Sequence, residues 1–326
     1  MKGKIALEEH FAIESTADDA TAFFPVLPPK MVDLRKNILD MRNQRIEYMD
    51  QCGIEFKIIS LNAPAVQGIL KKEKAVDIAK EANDVLAEEC AANPKRFAGF
   101  AALPMQDPEA ATKELIRCVK DFGFKGALCN GFSQLDDVEN ALYYDLPQYA
   151  EFWAELAKLD LPFYLHPRSP LPSQQKAIAG HPWLVASAWL FSVETATHAL
   201  RLMGSCIFDK HPNLNIILGH LGELLPANIW RTSHRMEVDQ IGCPAKRPFS
   251  DYLANNFYIT TSGNFRLSAM VAGMMEMGSD RIMFATDYPF ESIPEACEWF
   301  DNMEIGDAEK EKIGRLNAIK LFRLDI

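Results

Sequence analysis

A (β/α)8 barrel is predicted by three features of the sequence: eight short apolar runs bounded by turn signals, amphipathic helical stretches between most of them, and a length of 326 residues that suits one such barrel. An open doubly wound sheet is the alternative. Such sheets usually follow the first strand with a glycine-rich phosphate turn, whereas here that strand ends Glu8-Glu9-His10-Phe11. No internal repeat, low-complexity stretch or linker divides the chain, so a single domain over residues 1–326 is expected.

The first strand, Lys4 to His10, alternates in a way that puts Glu8 and His10 on one face and Ile5 and Leu7 on the other. The next strands are predicted at Phe56 to Asn62, Phe97 to Leu103, Phe124 to Asn130 and Leu161 to Pro167, followed by Leu214 to His220, Phe257 to Gly263 and Ile282 to Tyr288. Helical periodicity covers Lys74 to Asn93, Pro108 to Asp121, Gln148 to Leu159, Thr195 to Phe208, Leu267 to Met277 and Pro294 to Phe300. Ala308 to Phe322 reads as an added terminal helix. Two connections are long, residues 11 to about 40 and 167 to about 195, and long insertions on the C-terminal side of barrel strands form lids or subunit contacts.

Composition narrows the function. A net charge of −11 with no Lys/Arg cluster argues against nucleic acid as a partner. No apolar run reaches bilayer length and the start lacks a signal-peptide pattern, so a soluble, unexported, cytoplasmic protein without membrane contact is expected. The seven cysteines are scattered and never form a Cys-x-x-Cys pair, which suggests neither a disulfide framework nor a thiolate zinc site.

Chemistry concentrates where the strands end. His10 closes the first, His166 the fifth, His220 the sixth and Asp287 the eighth, while Asn62 and Asn130 close the second and fourth. A closed barrel gathers these tips at one mouth, the face on which barrel enzymes work. Any one of the histidines alone would read as a core residue, and Asp287 alone as a turn cap. Four at the same end of four strands read as one site. Imidazoles and carboxylates without thiolates fit Zn²⁺ or a harder ion such as Mn²⁺, so Glu8, His10, His166 and Asp287 are the expected ligands. Glu223, three residues after His220, is expected to orient that imidazole from the start of a helix, as part of a proton relay.

With these residues in place the sequence resembles the amidohydrolase superfamily, and within it the non-hydrolytic branch of metal-dependent o-hydroxybenzoate decarboxylases. The resemblance covers almost the whole chain. It runs through Gly3 to Phe11, Ser60-Leu61-Asn62-Ala63-Pro64, Phe163-Tyr164-Leu165-His166-Pro167, Ile217 to Glu223, Thr261-Ser262-Gly263-Asn264-Phe265 and Phe284 to Glu291. The common hydrolase pattern opens His-x-His. This chain has Glu8-x-His10, as the γ-resorcylate (2,6-dihydroxybenzoate) decarboxylase branch does, where 2,3-dihydroxybenzoate and salicylate decarboxylases commonly carry Ala in place of His10. Asn130-Gly131-Phe132-Ser133-Gln134 leans the same way.

The resemblance implies one divalent ion per subunit with no organic cofactor, a homotetramer or dimer, and a role in aromatic compound catabolism with a small aromatic acid as substrate. It also implies that Phe23 and Phe290 wall the aromatic ring, that Asn130 lies near a ring hydroxyl, and that Arg231 reaches a substrate hydroxyl from a neighbouring subunit. The expected reaction is a reversible, non-oxidative decarboxylation in which Asp287 protonates the ring carbon bearing the carboxylate, with His220 and Glu223 supplying and steering the proton. A metal-bound carboxylate holds protons weakly, so this role requires loose coordination or the relay. The alternatives are a 2,3-dihydroxybenzoate or salicylate decarboxylase, and a lactone or amide hydrolase with Asp287 as base.

Overall fold

A computed structural model of the chain describes residues 1–21, 29–239 and 241–326. Eight parallel strands form its centre: β1 (Lys4–Phe11), β2 (Ile54–Leu61), β3 (Phe97–Gly99 continuing as Ala101–Ala102), β4 (Ala127–Asn130), β5 (Phe163–His166), β6 (Ile216–Leu218), β7 (Phe257–Thr260) and β8 (Ile282–Met283). Each pairs with its predecessor in parallel register. Strand β3 breaks its ladder at Phe100, whose N–H donates to Ile59 O at 2.9 Å, so its first half pairs with β2 and its second with β4. The ring is completed where Leu7 N donates to Phe284 O at 3.4 Å and His10 N to Tyr288 O at 2.8 Å, which joins β1 to the segment after β8. A short antiparallel hairpin, Ser133–Leu135 with Asp137–Leu142, stands apart from the barrel.

Side chains alternate between two cores, as a closed sheet requires. Ile5, Leu7, Ile58, Phe100, Tyr164 and Met283 pack inside the barrel, over Ala318, Phe322 and Leu324 of the terminal segment. Neighbouring strand residues such as Ile59, Leu165, Leu218 and Ile259 face outward into the layer shared with the helices. The helix Pro108–Phe122 starts with Asp107 accepting from Ala110 N at 3.1 Å. Among the described residues no helix is long and apolar enough to cross a membrane.

Three expectations change in detail. Ile5 and Leu7 do not oppose Glu8 and His10. The register slips between Leu7 and Glu9, with Glu8 at φ +69°, so one extra residue enters β1 and Leu7 and Glu8 both face inward. The predicted helix Thr195 to Phe208 is two helices, Leu190–Gly204 and Ile207–Lys210, parted by Cys206 at φ +65°. The terminal helix is likewise interrupted, by a wider turn at Lys312–Leu316 between Asp307–Glu311 and Asn317–Phe322.

The helix Leu190–Gly204 carries a buried carboxyl, Glu194, whose burial pushes it from an ordinary 4.5 up to about 8 against the opposing charge of Arg168. The folded protein therefore keeps a proton that the unfolded chain loses above about pH 4.5. Stability from this group is fully present below that value and is lost as pH rises through about 8, an effect on the order of a few kcal/mol. Glu194→Gln is expected to remove this dependence. The difference in Tm between variant and wild type, followed from pH 5 to 8, should grow steadily in the variant's favour, and a constant difference would show that Glu194 does not titrate there.

Candidate metal centre and active site

Glu8 from the bulge in β1, His10 two residues on, His166 at the end of β5 and Asp287 beyond β8 are buried together, with one ligand atom from each lying within 4.8 Å of the others. His10 Nε2 stands 3.2 Å from Asp287 Oδ1, and His166 Nε2 stands 3.4 Å from Glu8 Oε1. Glu8 Oε1 and His10 Nε2 are buried without a hydrogen-bond partner. Buried polar atoms of this kind are costly unless something satisfies them. Two carboxylates and two imidazoles with unspent lone pairs facing one point fit a divalent cation of the zinc or manganese type.

The orientation of Glu8 is set by hydroxyls. Its Oε2 accepts from Tyr164 OH on β5, from Thr260 Oγ1 at 3.0 Å and from Ser262 Oγ, which leaves Oε1 to face the histidines. This trio is not among the residues expected from sequence, although its signal is present there. Tyr164 shares the parity of His166, and Thr260 at the end of β7 shares that of Ser262 just beyond it. Close approach is also required, because a Cβ on Gly219 would lie 2.6 Å from Glu8 Oε1. Gly219→Ala is therefore expected to push Glu8 out of place and to weaken metal binding by roughly 10- to 100-fold. Calorimetric titration with Mn²⁺ measures this, and an unchanged affinity would mean that Glu8 is not a ligand.

His220 follows β6 at φ +53° and its N–H donates to Ser262 Oγ at 3.0 Å. Its Nδ1 lies 2.6 Å from Glu223 Oε1 and its Nε2 lies 3.4 Å from Asp287 Oδ2. Glu223 does not stand at a helix start as expected. It lies two residues before the helix Leu225–Val238, in a turn where Leu221, Glu223 and Leu224 also have positive φ. Such backbone is sparsely populated and persists only where surroundings hold it, as at working sites. Gly263, at φ +56°, passes so close that a Cβ there would meet His220 Cδ2 at 2.8 Å.

Burial pushes the His220 imidazole down, but the charges of Glu223 and Glu8 and the hydrogen bonds it donates to Asp287 and Glu223 hold it well above its ordinary value. Burial pushes the Asp287 carboxyl up, and the imidazoles of His10 and His220 beside it carry it below its ordinary value. Glu8 is raised, chiefly by burial. His166 is lowered, by burial and by the charge of His10. Both directions favour a proton on His220 over one on Asp287.

A cavity opens above these groups, lined by Ala63, His166, His220, Asp287 and Phe290 with Ser187 and Phe191 at its side. The Phe290 ring stands 5.4 Å from that of His10 in an edge arrangement. Asn130 ends β4 as expected but is buried away from the cavity lining, donating from Nδ2 to Asn62 O at 2.9 Å with Oδ1 unpaired. Arg231 is exposed on the helix Leu225–Val238, outside that lining. Phe23 lies outside the described residues. Larger hollows among the described residues, beside Cys90 and Leu324 or beside Met1 and Arg96, hold no such convergent set of ligands.

Residues 27–324 match the Amidohydrolase family. A γ-resorcylate decarboxylase of Rhizobium sp. (strain MTP-10005) is 56% identical over 327 residues, covering 100% of this chain and 99% of that protein. A solved 2,6-dihydroxybenzoate decarboxylase complexed with 2,6-dihydroxybenzoate superposes with a TM-score of 0.96 at 56% identity, over 99% of this chain and 100% of that one. A dihydroxybenzoic acid decarboxylase from Polaromonas sp. JS666, with bound manganese and the inhibitor 2-nitroresorcinol, matches with a TM-score of 0.96 at 53% identity, over 100% of this chain and 98% of that one.

Proposed function

The chain belongs to the amidohydrolase family, and from that premise we propose that it decarboxylates ortho-hydroxybenzoates without an oxidant, converting γ-resorcylate (2,6-dihydroxybenzoate) to resorcinol and CO₂. The observation that carries this reading is the buried ring of Glu8, His10, His166 and Asp287 at the base of a cavity walled by the aromatic ring of Phe290. Glu8, His10, His166 and Asp287 would hold one divalent ion, Mn²⁺ or Zn²⁺, whose charge neutralises the substrate carboxylate and helps fix the ring.

Direct loss of CO₂ from a benzoate would strand an electron pair in the ring plane as an aryl anion. Protonating the carbon that bears the carboxylate first avoids this, because the two ortho hydroxyls share the positive charge of the dearomatised ring. Asp287 delivers that proton, and the 3.4 Å approach of His220 Nε2 to Asp287 Oδ2 provides the route by which it is supplied. Glu223, 2.6 Å from Nδ1, holds the imidazole in the orientation that aims Nε2 at Asp287. The bond from ring carbon to carboxylate carbon then breaks, its electron pair returns to the ring, and CO₂ leaves. By microscopic reversibility the same groups carboxylate resorcinol at high bicarbonate.

Phe23 and Phe290 are assigned to the walls of the aromatic-ring site. Asn130 is assigned to a ring hydroxyl, a role that requires its unpaired Oδ1 to turn toward the cavity on binding. A homotetramer or dimer brings Arg231 to a neighbour's cavity, and the exposed indoles Trp183 and Trp230 provide apolar surface for such a contact. The enzyme is assigned to the cytoplasm.

The test is to incubate Mn²⁺-loaded protein with 2,6- and 2,3-dihydroxybenzoate, salicylate and a carboxyvanillate, and to follow phenol formation. Resorcinol from the 2,6-isomer at the highest kcat/KM is expected. Opening of a lactone in place of CO₂ release would overturn the reading.

A further inference from the structure

Behind the ligands, on the outer face of the barrel, lies a second buried set of charges that the proposed reaction does not use. Glu9, Lys57, Arg45 and Thr286 are all fully buried there. Glu9 stands in sequence between Glu8 and His10, and Thr286 immediately precedes Asp287. Glu9 Oε1 accepts from Thr286 N at 2.9 Å and from Thr286 Oγ1 at 2.7 Å, while Glu9 Oε2 accepts from Lys57 Nζ on β2 at 2.5 Å. Arg45, from the helix Gln44–Cys52, donates to His10 O at 2.5 Å. Arg45 and Lys57 also flank the ring of Tyr288, with their cationic centres 4.9 and 5.3 Å from its centroid.

This set occupies the place where regular pairing gives out. The ladder of β8 ends at Met283, and beyond it the backbone bonds that join β1 to the segment carrying Asp287, among the described residues, are Leu7 N to Phe284 O, at 3.4 Å, and His10 N to Tyr288 O. Between those two bonds the Thr286 N–H has no strand to pair with, and the Glu9 carboxylate takes it instead. A buried N–H must find an acceptor somewhere. Here the acceptor belongs to the strand that bears two other ligands.

We propose that Glu9, held by Lys57, is a positioning residue that sets the spacing of Asp287 from Glu8 and His10 through Thr286, and so tunes the affinity of the site for its divalent ion. The inference rests on the metal reading above. Three of the four ligands then move as one unit, and only His166 on β5 is placed independently.

Thr286→Val keeps the shape and the backbone N–H but deletes the hydroxyl donor, and Thr286→Ser restores it. Each variant is titrated calorimetrically with Mn²⁺ in the metal-depleted full chain, and Tm, kcat and KM for 2,6-dihydroxybenzoate are measured at saturating Mn²⁺. Thr286→Val is expected to weaken Mn²⁺ binding roughly 10- to 100-fold and to lower kcat more than it raises KM, with Thr286→Ser within about threefold of wild type. The paired replacement Glu9→Gln with Lys57→Met, which removes the two opposite charges of the ion pair together, is expected to lose at least as much affinity. Variants with lowered Tm but Mn²⁺ affinity and kcat within about threefold of wild type would show a merely structural brace and overturn the proposal. A wild-type protein that takes up neither Mn²⁺ nor Zn²⁺ would overturn the metal reading itself, and the inference would fall with it.

Discussion

Asp287→Asn is expected to lower kcat by about 10³-fold or more, within the 10²- to 10⁴-fold range that a well-placed proton donor contributes. The replacement is nearly isosteric, so the neighbours at 3.2 Å (His10 Nε2) and 3.4 Å (His220 Nε2) stay in reach, and the cavity keeps its shape. What is lost is the ability to take a proton from His220 and hand it to carbon, since an amide does neither at neutral pH. Binding of 2,6-dihydroxybenzoate at saturating Mn²⁺ should therefore stay within about tenfold of wild type. Steady-state turnover and a binding titration on the same preparation make the comparison. A variant that turns over at near-normal rates would place the proton source elsewhere.

Removing the divalent ion with a chelator is expected to abolish activity and to lower Tm by several degrees, with both restored by Mn²⁺. The cause lies in the packing of Glu8, His10, His166 and Asp287, whose ligand atoms crowd within 4.8 Å away from water. Two buried carboxylates repel each other, and the unpaired Glu8 Oε1 and His10 Nε2 gain partners only when a cation joins them. An ion present at a thousandfold excess over its Kd stabilises the folded state by about 4 kcal/mol. Thermal unfolding with and without Mn²⁺ reads this directly. Full activity in metal-free protein, or a Tm indifferent to the ion, would remove the four residues from the role assigned to them.

The barrel was legible because its strands are apolar runs of ordinary length, and the tips were legible because ionisable side chains ending such runs are out of place unless they converge. His166 and Asp287 needed only that logic. Glu8 did not conform, since parity along β1 set it opposite Leu7, and the bulge that brings both inward depends on the register of β2, which no local pattern records. Glu223 was found by its spacing from His220, but the turn that delivers it, built on Leu221, Glu223 and Leu224 at positive φ, carries no glycine signal at those positions. Thr260 and Ser262 looked like ordinary strand hydroxyls, and they acquire a task only because Glu8 reaches them across the ring. Asn130 and Arg231 carry no such local signal, and their assigned roles rest on the resemblance: Asn130 is buried outside the cavity lining and Arg231 is exposed on the isolated chain.

The packed interior below Glu8, from Tyr164 and Phe100 down to Phe322, makes the barrel solid at its far end. With that end filled, the aromatic acid, the departing gas and the phenol are expected to pass through the doorway at the cavity end, beside Phe290. In the forward direction CO₂, the smaller product, can slip out ahead of resorcinol. In the carboxylating direction it must enter before the doorway is blocked by the ring, which favours conditions that keep dissolved CO₂ abundant.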